Sequence, residues 1–159
     1  MIVQLLELIN IVQEPKKNNG NQAIGKSSGG LSTKIHALVD ALGNPTQFTL
    51  TPGQVHDLDG ADILLPKMQG DMLLADKAFD ADVRVIEPLI LQGKQVVIPM
   101  KSNRKKSRPF DKYLYKARHL IENFFAKLKQ FRAIATRYDK LARNFLSGIY
   151  LAAATVWLN

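Results

Sequence analysis

The sequence predicts an α/β protein, a mixed β-sheet with helices packed on it. Three observations carry that prediction. The chain has 159 residues, 46% of them hydrophobic, enough for one domain with a real core and too many for a disordered chain. Four strand-sized segments, Thr33–Asp40, Thr46–Thr51, Met72–Ala75 and Gln95–Pro99, are apolar or alternate between apolar and polar residues. After the first two, helix-sized segments separate them, and that order describes a sheet covered by helices.

The elements follow in chain order. Residues 15–30 are rich in Gly, Asn, Ser and Lys and read as a loop. Thr33–Asp40 and Thr46–Thr51 flank the turn Leu42-Gly43-Asn44-Pro45, which makes them a hairpin. Asp57 is placed to cap a short helix reaching about Met68, and Asp80 to cap a helix running to Leu91, stopped by Gly93. From Lys112 onward two long helices are expected, broken around Ala135–Tyr138. The apolar run Phe145–Leu158 is too short to span a bilayer comfortably and reads as a buried helix. No secretory signal is visible, because no basic region precedes the apolar residues 1–12. The expected product is soluble and cytoplasmic, with no membrane partner. The absence of cysteine excludes disulfides and thiolate metal sites.

Charge is unevenly placed. Residues 1–100 hold 8 Lys and Arg against 11 Asp and Glu, a net −3, whereas residues 101–159 hold 14 against 3, a net +11. A polyanion is the simplest partner for such a segment. The DNA-binding candidates are Lys101, Arg104, Lys105, Lys106, Arg108, Arg132, Arg137, Lys140 and Arg143. A nucleotide is not expected. Gly20-Asn-Gln-Ala-Ile-Gly25-Lys26-Ser27 fits the letters of a phosphate-binding loop, but no strand feeds it and Ser28-Gly29-Gly30 is poor helix.

The chemistry-bearing residues gather in one helix and at one strand end. Asp76 closes the apolar strand Met72–Ala75, the edge where ligands meet such sheets. At 100° per residue, Tyr115, Arg118, Glu122 and Lys129 share an arc of about 60°. Leu120, Ile121, Phe124, Leu128 and Phe131 lie mostly on the other side. An i,i+4 ion pair between Arg118 and Glu122 explains part of that stripe. An acid among so many cations also suits a metal whose neighbours hold phosphate. His36, His56 and His119 lack metal-ligand spacing, although His119 lies close enough to Glu122 to support it.

These blocks together resemble the catalytic domain of bacterial insertion-sequence transposases of the DDE class, in the insertion-sequence five group. The resemblance runs from about Lys16 to Asn159. It rests on GKSSGGLSTKIHALVDALGNP, TPGQVHD, LLADKAFDAD, VVIPMKSNRK and YKARHLIENFFAKLKQFRAIATRYDKLARNF, the last carrying the family signature as Tyr115, Arg118, Glu122 and Lys129. It implies a ribonuclease-H-like mixed sheet with flanking helices. It also implies Mg²⁺ or Mn²⁺ held by acids, with cleavage and strand transfer of DNA at transposon ends. Asp76 matches the second acid and Glu122 the third, and these two are the implied metal ligands. Tyr115, Arg118 and Lys129 would orient the phosphate and stabilise charge.

Two departures set further expectations. Ala78-Phe79 stands where the family has Gly-Tyr. The family's first-acid block is missing, and no Asp precedes Asp40. Residues 1–15 are therefore expected to be a replaced, non-family start, and residues 16–159 a partial domain that lacks its first strand and binds metal poorly. Asp40 is the first candidate for a substitute acid. Residues 1–12 could fill the gap as a surrogate strand or dock as a helix, and the propensities of Leu5, Leu6, Glu7 and Leu8 favour the helix. The expected function is that of an inactive, truncated transposase. One alternative is a non-catalytic DNA-binding or regulatory fragment that pairs with a full-length enzyme. Another is a ribonuclease-H-like nuclease.

Overall fold

In the computed structural model, residues 3–13, 20–105 and 108–158 are described. Strand β1 spans Val3–Val12, β2 Gly25–Ser27, β3 Gly30–Asp40 and β4 Pro45–Pro52. Helix α1 (Asp57–Leu64) continues into a 3₁₀ turn at Leu65–Lys67, and β5 (Met72–Ala75) follows. Then come α2 (Glu87–Leu91), β6 (Gln95–Val97), α3 (Lys112–Tyr115), α4 (His119–Gln130), α5 (Arg132–Ala135) and α6 (Ala142–Leu158). The strands form one mixed sheet in the order β2-β3-β1-β5-β6, with β4 also paired to β3. This architecture is consistent with a ribonuclease-H-like fold.

The first strand is present, which corrects the preference for a helix over residues 1–12. β1 lies at the centre of the sheet, antiparallel to β3 over nine residue pairs and parallel to β5 over four. Sheet pairing satisfies the backbone groups of Gln4–Leu6 on both edges and those of Glu7–Val12 on the β3 edge, and a docked helix would leave the facing edges of β3 and β5 unpaired. Tertiary context therefore overrides the helix propensity of its leucines.

Both faces of the sheet are buried, which is why its strands read as nearly continuous apolar runs. One face packs Leu5, Ile35, Ala37, Val39 and Leu74 under Ile121, Phe124 and Leu128 of α4 and Phe145 and Ile149 of α6. The other packs Leu6, Leu38, Leu73 and Ala75 against Leu58, Ala61 and Leu64 of α1 and Val85 and Leu89. The Phe145–Leu158 run buries one face, Phe145, Ile149, Ala152 and Ala153, while Leu151, Trp157 and Leu158 are exposed, and among the described residues no helix is long and apolar enough to cross a membrane. Gly25-Lys26-Ser27 pairs as a strand with β3, and β3 rather than a helix follows it. The arrangement a phosphate-binding loop requires is absent there.

Two expected caps are corrected. His56, not Asp57, caps α1, its Nδ1 accepting from the Leu58 amide at 3.2 Å. The helix ending at Leu91 begins with a π turn at Asp82–Ile86 whose cap position is Ala81, while Asp80 is turned inward for another purpose.

On β3, His36 is fully buried, and its Nε2 lies 2.8 Å from the Thr51 hydroxyl. Its Nδ1 has no hydrogen-bond partner among the described residues. Burial pulls its pKa down to about 4; Lys34 adds to the shift, and Asp57 and Asp59 of α1 oppose it. A base depressed in the folded state is protonated first in the unfolded chain. Stability is therefore complete above pH 6.5 and falls as pH drops toward 4, by on the order of 3 kcal/mol. Urea titrations between pH 7 and 4 should show that loss, and His36→Leu should flatten the profile in that window.

Candidate functional site

The site forms where β1, the end of β5 and α4 meet. Along β1 the residues Val3, Leu5, Glu7, Ile9 and Ile11 point to the face covered by α4 and α6, because side chains alternate with a period of two. Glu7 is the one ionisable group in that row. β1 and β5 pair in parallel up to Leu6 opposite Ala75, so the next positions, Glu7 and Asp76, are neighbours at the carboxyl end of β5. Asp76 also caps the following 3₁₀ turn by accepting from the Ala78 amide. Glu122 comes from the first turn of α4.

Arg118 gathers all three acids. Its Nη1 contacts Glu7 Oε2 directly and lies 3.5 Å from Asp76 Oδ2, and its Nη2 contacts Glu122 Oε1. The guanidinium also lies 5.7 Å from the Tyr115 ring centroid, and Tyr115 packs edge-on against Phe110. Glu7 is the most enclosed of the acids, with 15% of its side chain exposed against 51% for Glu122. Burial pushes its carboxyl up to about 7, against the pull of Arg118; the Asp76 and Glu122 charges add to the rise. For Arg118 burial works downward, but the surrounding negative charge outweighs it and its pKa is raised.

The structure thus brings Asp76, Glu122, Tyr115 and Arg118 near one another and adds Glu7. Lys129 is exposed on α4, about 10 Å along the helix axis from Glu122. His119 turns away, its Nδ1 bonded to the Lys116 carbonyl at 2.7 Å. Asp40 takes no part in the cluster. It binds the hairpin turn, accepting from the amides of Leu42 and Asn44 at 2.8 and 2.9 Å.

The sequence pattern of the transposase DDE domain matches residues 9–157. A protein of Brucella ovis, named for the transposase of insertion sequence element IS6501, is 39% identical over 131 residues, covering 80% of this chain and 99% of that protein. The chain belongs to the transposase DDE domain family. Glu7 lies just outside the matched segment, which explains why motif reading alone passes over it.

Domains of this family generally use divalent metals, so the fit of this cluster to a cation matters. The donor chemistry suits one: three carboxylates supply only hard oxygen atoms. The geometry does not. Among the described residues no three acids or histidines converge closely enough to hold a metal ion, and the positive charge among these three acids is the Arg118 guanidinium.

The expected DNA-binding cations fall into three groups. Arg104 and Arg108 are committed within the chain: Arg104 bonds Asp80 at 2.6 Å and Asp82 at 2.7 and 2.8 Å, and Arg108 bonds Asp80 at 3.0 Å. The Lys101 amide completes the set, donating to Asp80 at 2.9 Å. Asp80 has no exposed side-chain surface. Burial raises its pKa, but its bonds to Arg104, the Lys101 amide and Arg108 prevail, so it lies below the ordinary carboxylate value.

Arg137 is fully buried, which corrects its assignment to DNA. It stacks on Phe145 at 4.6 Å and donates to Thr33 and to the carbonyls of Gln22, Asp139 and Lys140. Lys140 is half-buried and caps the Arg137 carbonyl. Lys105, Arg132 and Arg143 are exposed, and Lys101 is partly so. Lys106 lies outside the described residues.

Proposed function

We propose that this transposase-like chain acts on the phosphodiester backbone of DNA at the ends of an insertion element, with Glu7, Asp76 and Glu122 as the acidic centre and Mg²⁺ or Mn²⁺ as the metal used. Tyr115 and Arg118 lie against that centre, and in this reading they hold a phosphate oxygen. The observation that supports this reading is the convergence of three acids from β1, β5 and α4 onto one guanidinium, in a chain whose residues 101–159 are strongly basic. The expectation of inactivity rested on a site of two acids, and Glu7 supplies a third carboxylate to the cluster.

A second reading, a non-catalytic DNA-binding fragment, is favoured by the same guanidinium, because the acids as they stand form no group that could hold a metal ion among the described residues. One assay separates the two. Nicking of a labelled element end that requires Mg²⁺ or Mn²⁺ and is lost in Asp76→Asn and Glu122→Gln supports the catalytic reading. No nicking alongside intact DNA binding supports the binder.

DNA binding itself is expected to be salt-dependent and largely independent of sequence, since each neutralised phosphate releases counterions. Arg132→Ala with Arg143→Ala should reduce the slope of log affinity against log salt by about 2. Fluorescence anisotropy across a salt series measures it, and an unchanged slope would remove these two residues from the DNA interface.

A further inference from the structure

Helices α3 and α4 carry a second stripe that the acidic centre does not use. Tyr113, Lys116, Leu120, Asn123, Lys127 and Gln130 recur at spacings of three and four residues, so they line one side of the two helices. Lys116 Nζ lies 5.9 Å from the Tyr113 ring centroid, side by side with it as that spacing requires. On α4 the stripe sits about 130° around the axis from Glu122 and Lys129. Its second half borders a cavity of about 370 Å³, bounded also by the β3–β4 turn and the end of α6. Leu42, Leu120 and Trp157 belong to the apolar part of the lining. The amides of Asn44, Asn123 and Gln130 and the one cation, Lys127, make up the polar part, and among the described residues no acid lines the cavity.

Trp157 is 66% exposed and Tyr113 80%. Rings left in water at the two ends of a cationic stripe are platforms on which bases stack, and every base has a face to offer. Side-chain amides carry a donor and an acceptor together, which suits the edge of an unpaired base. A duplex hides its base faces inside the stack, so rings that face solvent meet them only on an unpaired strand. The charge agrees, since two lysines and no acid admit a phosphate chain. We propose that this groove binds single-stranded DNA, with one base stacked on Trp157, another on Tyr113 and the phosphates between them on Lys127 and Lys116. The proposal rests on the reading of DNA as the ligand of this chain, and adds the form of strand that this side of α4 takes.

Trp157 is the chain's one tryptophan, so its emission reports the groove directly in the full chain. A short DNA strand with no self-pairing should quench it, and the same strand in a duplex should leave it nearly unchanged. Anisotropy of the labelled strand then tests the residues. Trp157→Leu should weaken single-strand binding at least about fivefold, and Trp157→Phe should recover much of that loss. Lys116→Gln with Lys127→Gln should reduce the slope of log affinity against log salt by about 1.4, at about 0.7 for each phosphate contact on a single strand. Duplex binding should be unchanged in all of them. The three positions are exposed, so the substitutions leave the core intact, and thermal melts check it.

Quenching that is absent, or equal with strand and duplex, overturns the proposal, as does an unchanged single-strand affinity in Trp157→Leu. Emission that shifts with protein concentration and ignores DNA overturns it too, and assigns the groove to a second copy of the chain. The duplex arm keeps the two readings apart. A chain that binds duplex and not the single strand loses this groove alone, whereas one that binds neither loses DNA as its ligand as well.

Discussion

Asp80→Ala is expected to destabilise the fold by about 3 kcal/mol while making its binding to DNA tighter and steeper in salt. The loss follows from what Asp80 satisfies. Its carboxylate, wholly buried, accepts from the guanidinium groups of Arg104 and Arg108 and from the Lys101 amide. Removing an acceptor from charged donors costs about 1.5–3 kcal/mol for each such bond lost, partly recovered here because the arginines can reach water. For a chain of this length the midpoint of thermal unfolding should fall by roughly 6–12 °C.

The gain in DNA affinity comes from the same event. Two arginines lose their internal partner and become available to phosphate, and the net charge of the face rises. Asp82→Ala is the control. Its side chain is 49% exposed, so its ion pairs with Arg104 and Arg108 contribute at most about 1 kcal/mol. Stability that falls equally in the two variants would show that burial of Asp80 is not what matters.

Gly60→Ala should lose about 3 kcal/mol, although helix propensity alone predicts a gain of about 1 kcal/mol for this change. Gly60 lies inside α1 where the helix backbone meets the His36 ring. A Cβ at that position would overlap Nδ1, Cε1 and Cγ of the ring. The ring cannot withdraw, being fully buried and tied to Thr51. The clash therefore outweighs the propensity. The decisive measurement is a double-mutant cycle with His36→Ala. With the ring gone, Gly60→Ala should become neutral or stabilising, and a coupling below about 1 kcal/mol would mean that the ring is not the obstacle.

Much of the sheet was legible in the sequence because its signals are local. The Leu42–Pro45 turn fixes the hairpin that joins β3 to β4, and the short apolar runs at β5 and β6 are bounded by breakers. The stripe running from α3 into α4 was legible because helical spacing alone places Arg118 against Glu122. What escaped depends on pairing over long separations. Nothing within VQLLELINIV distinguishes a helix from a strand; the answer lies in the free edges of β3 and β5. Glu7 was hidden for the same reason, since its inward direction exists only once β1 is extended. Asp80 resembled an ordinary helix cap, and its role depends on arginines more than twenty residues away. Arg137 looked like one more cation in a basic segment, and only tertiary packing shows it stacked on Phe145 with its donors on backbone carbonyls.

The central placement of β1 governs the order in which the molecule can assemble. The strand precedes every partner it has: β3 begins eighteen residues after β1 ends, and β5 closes the other edge only from Met72 onward. During synthesis, this apolar segment must therefore wait until β3 has emerged to pair one edge, and until some sixty residues have followed it to pair the other. Such contacts, distant along the chain, slow folding and leave a sticky template exposed meanwhile. A chaperone that holds short extended apolar segments has its natural client in this segment, and the yield of soluble protein should respond to the rate of translation more than to the stability of the finished fold.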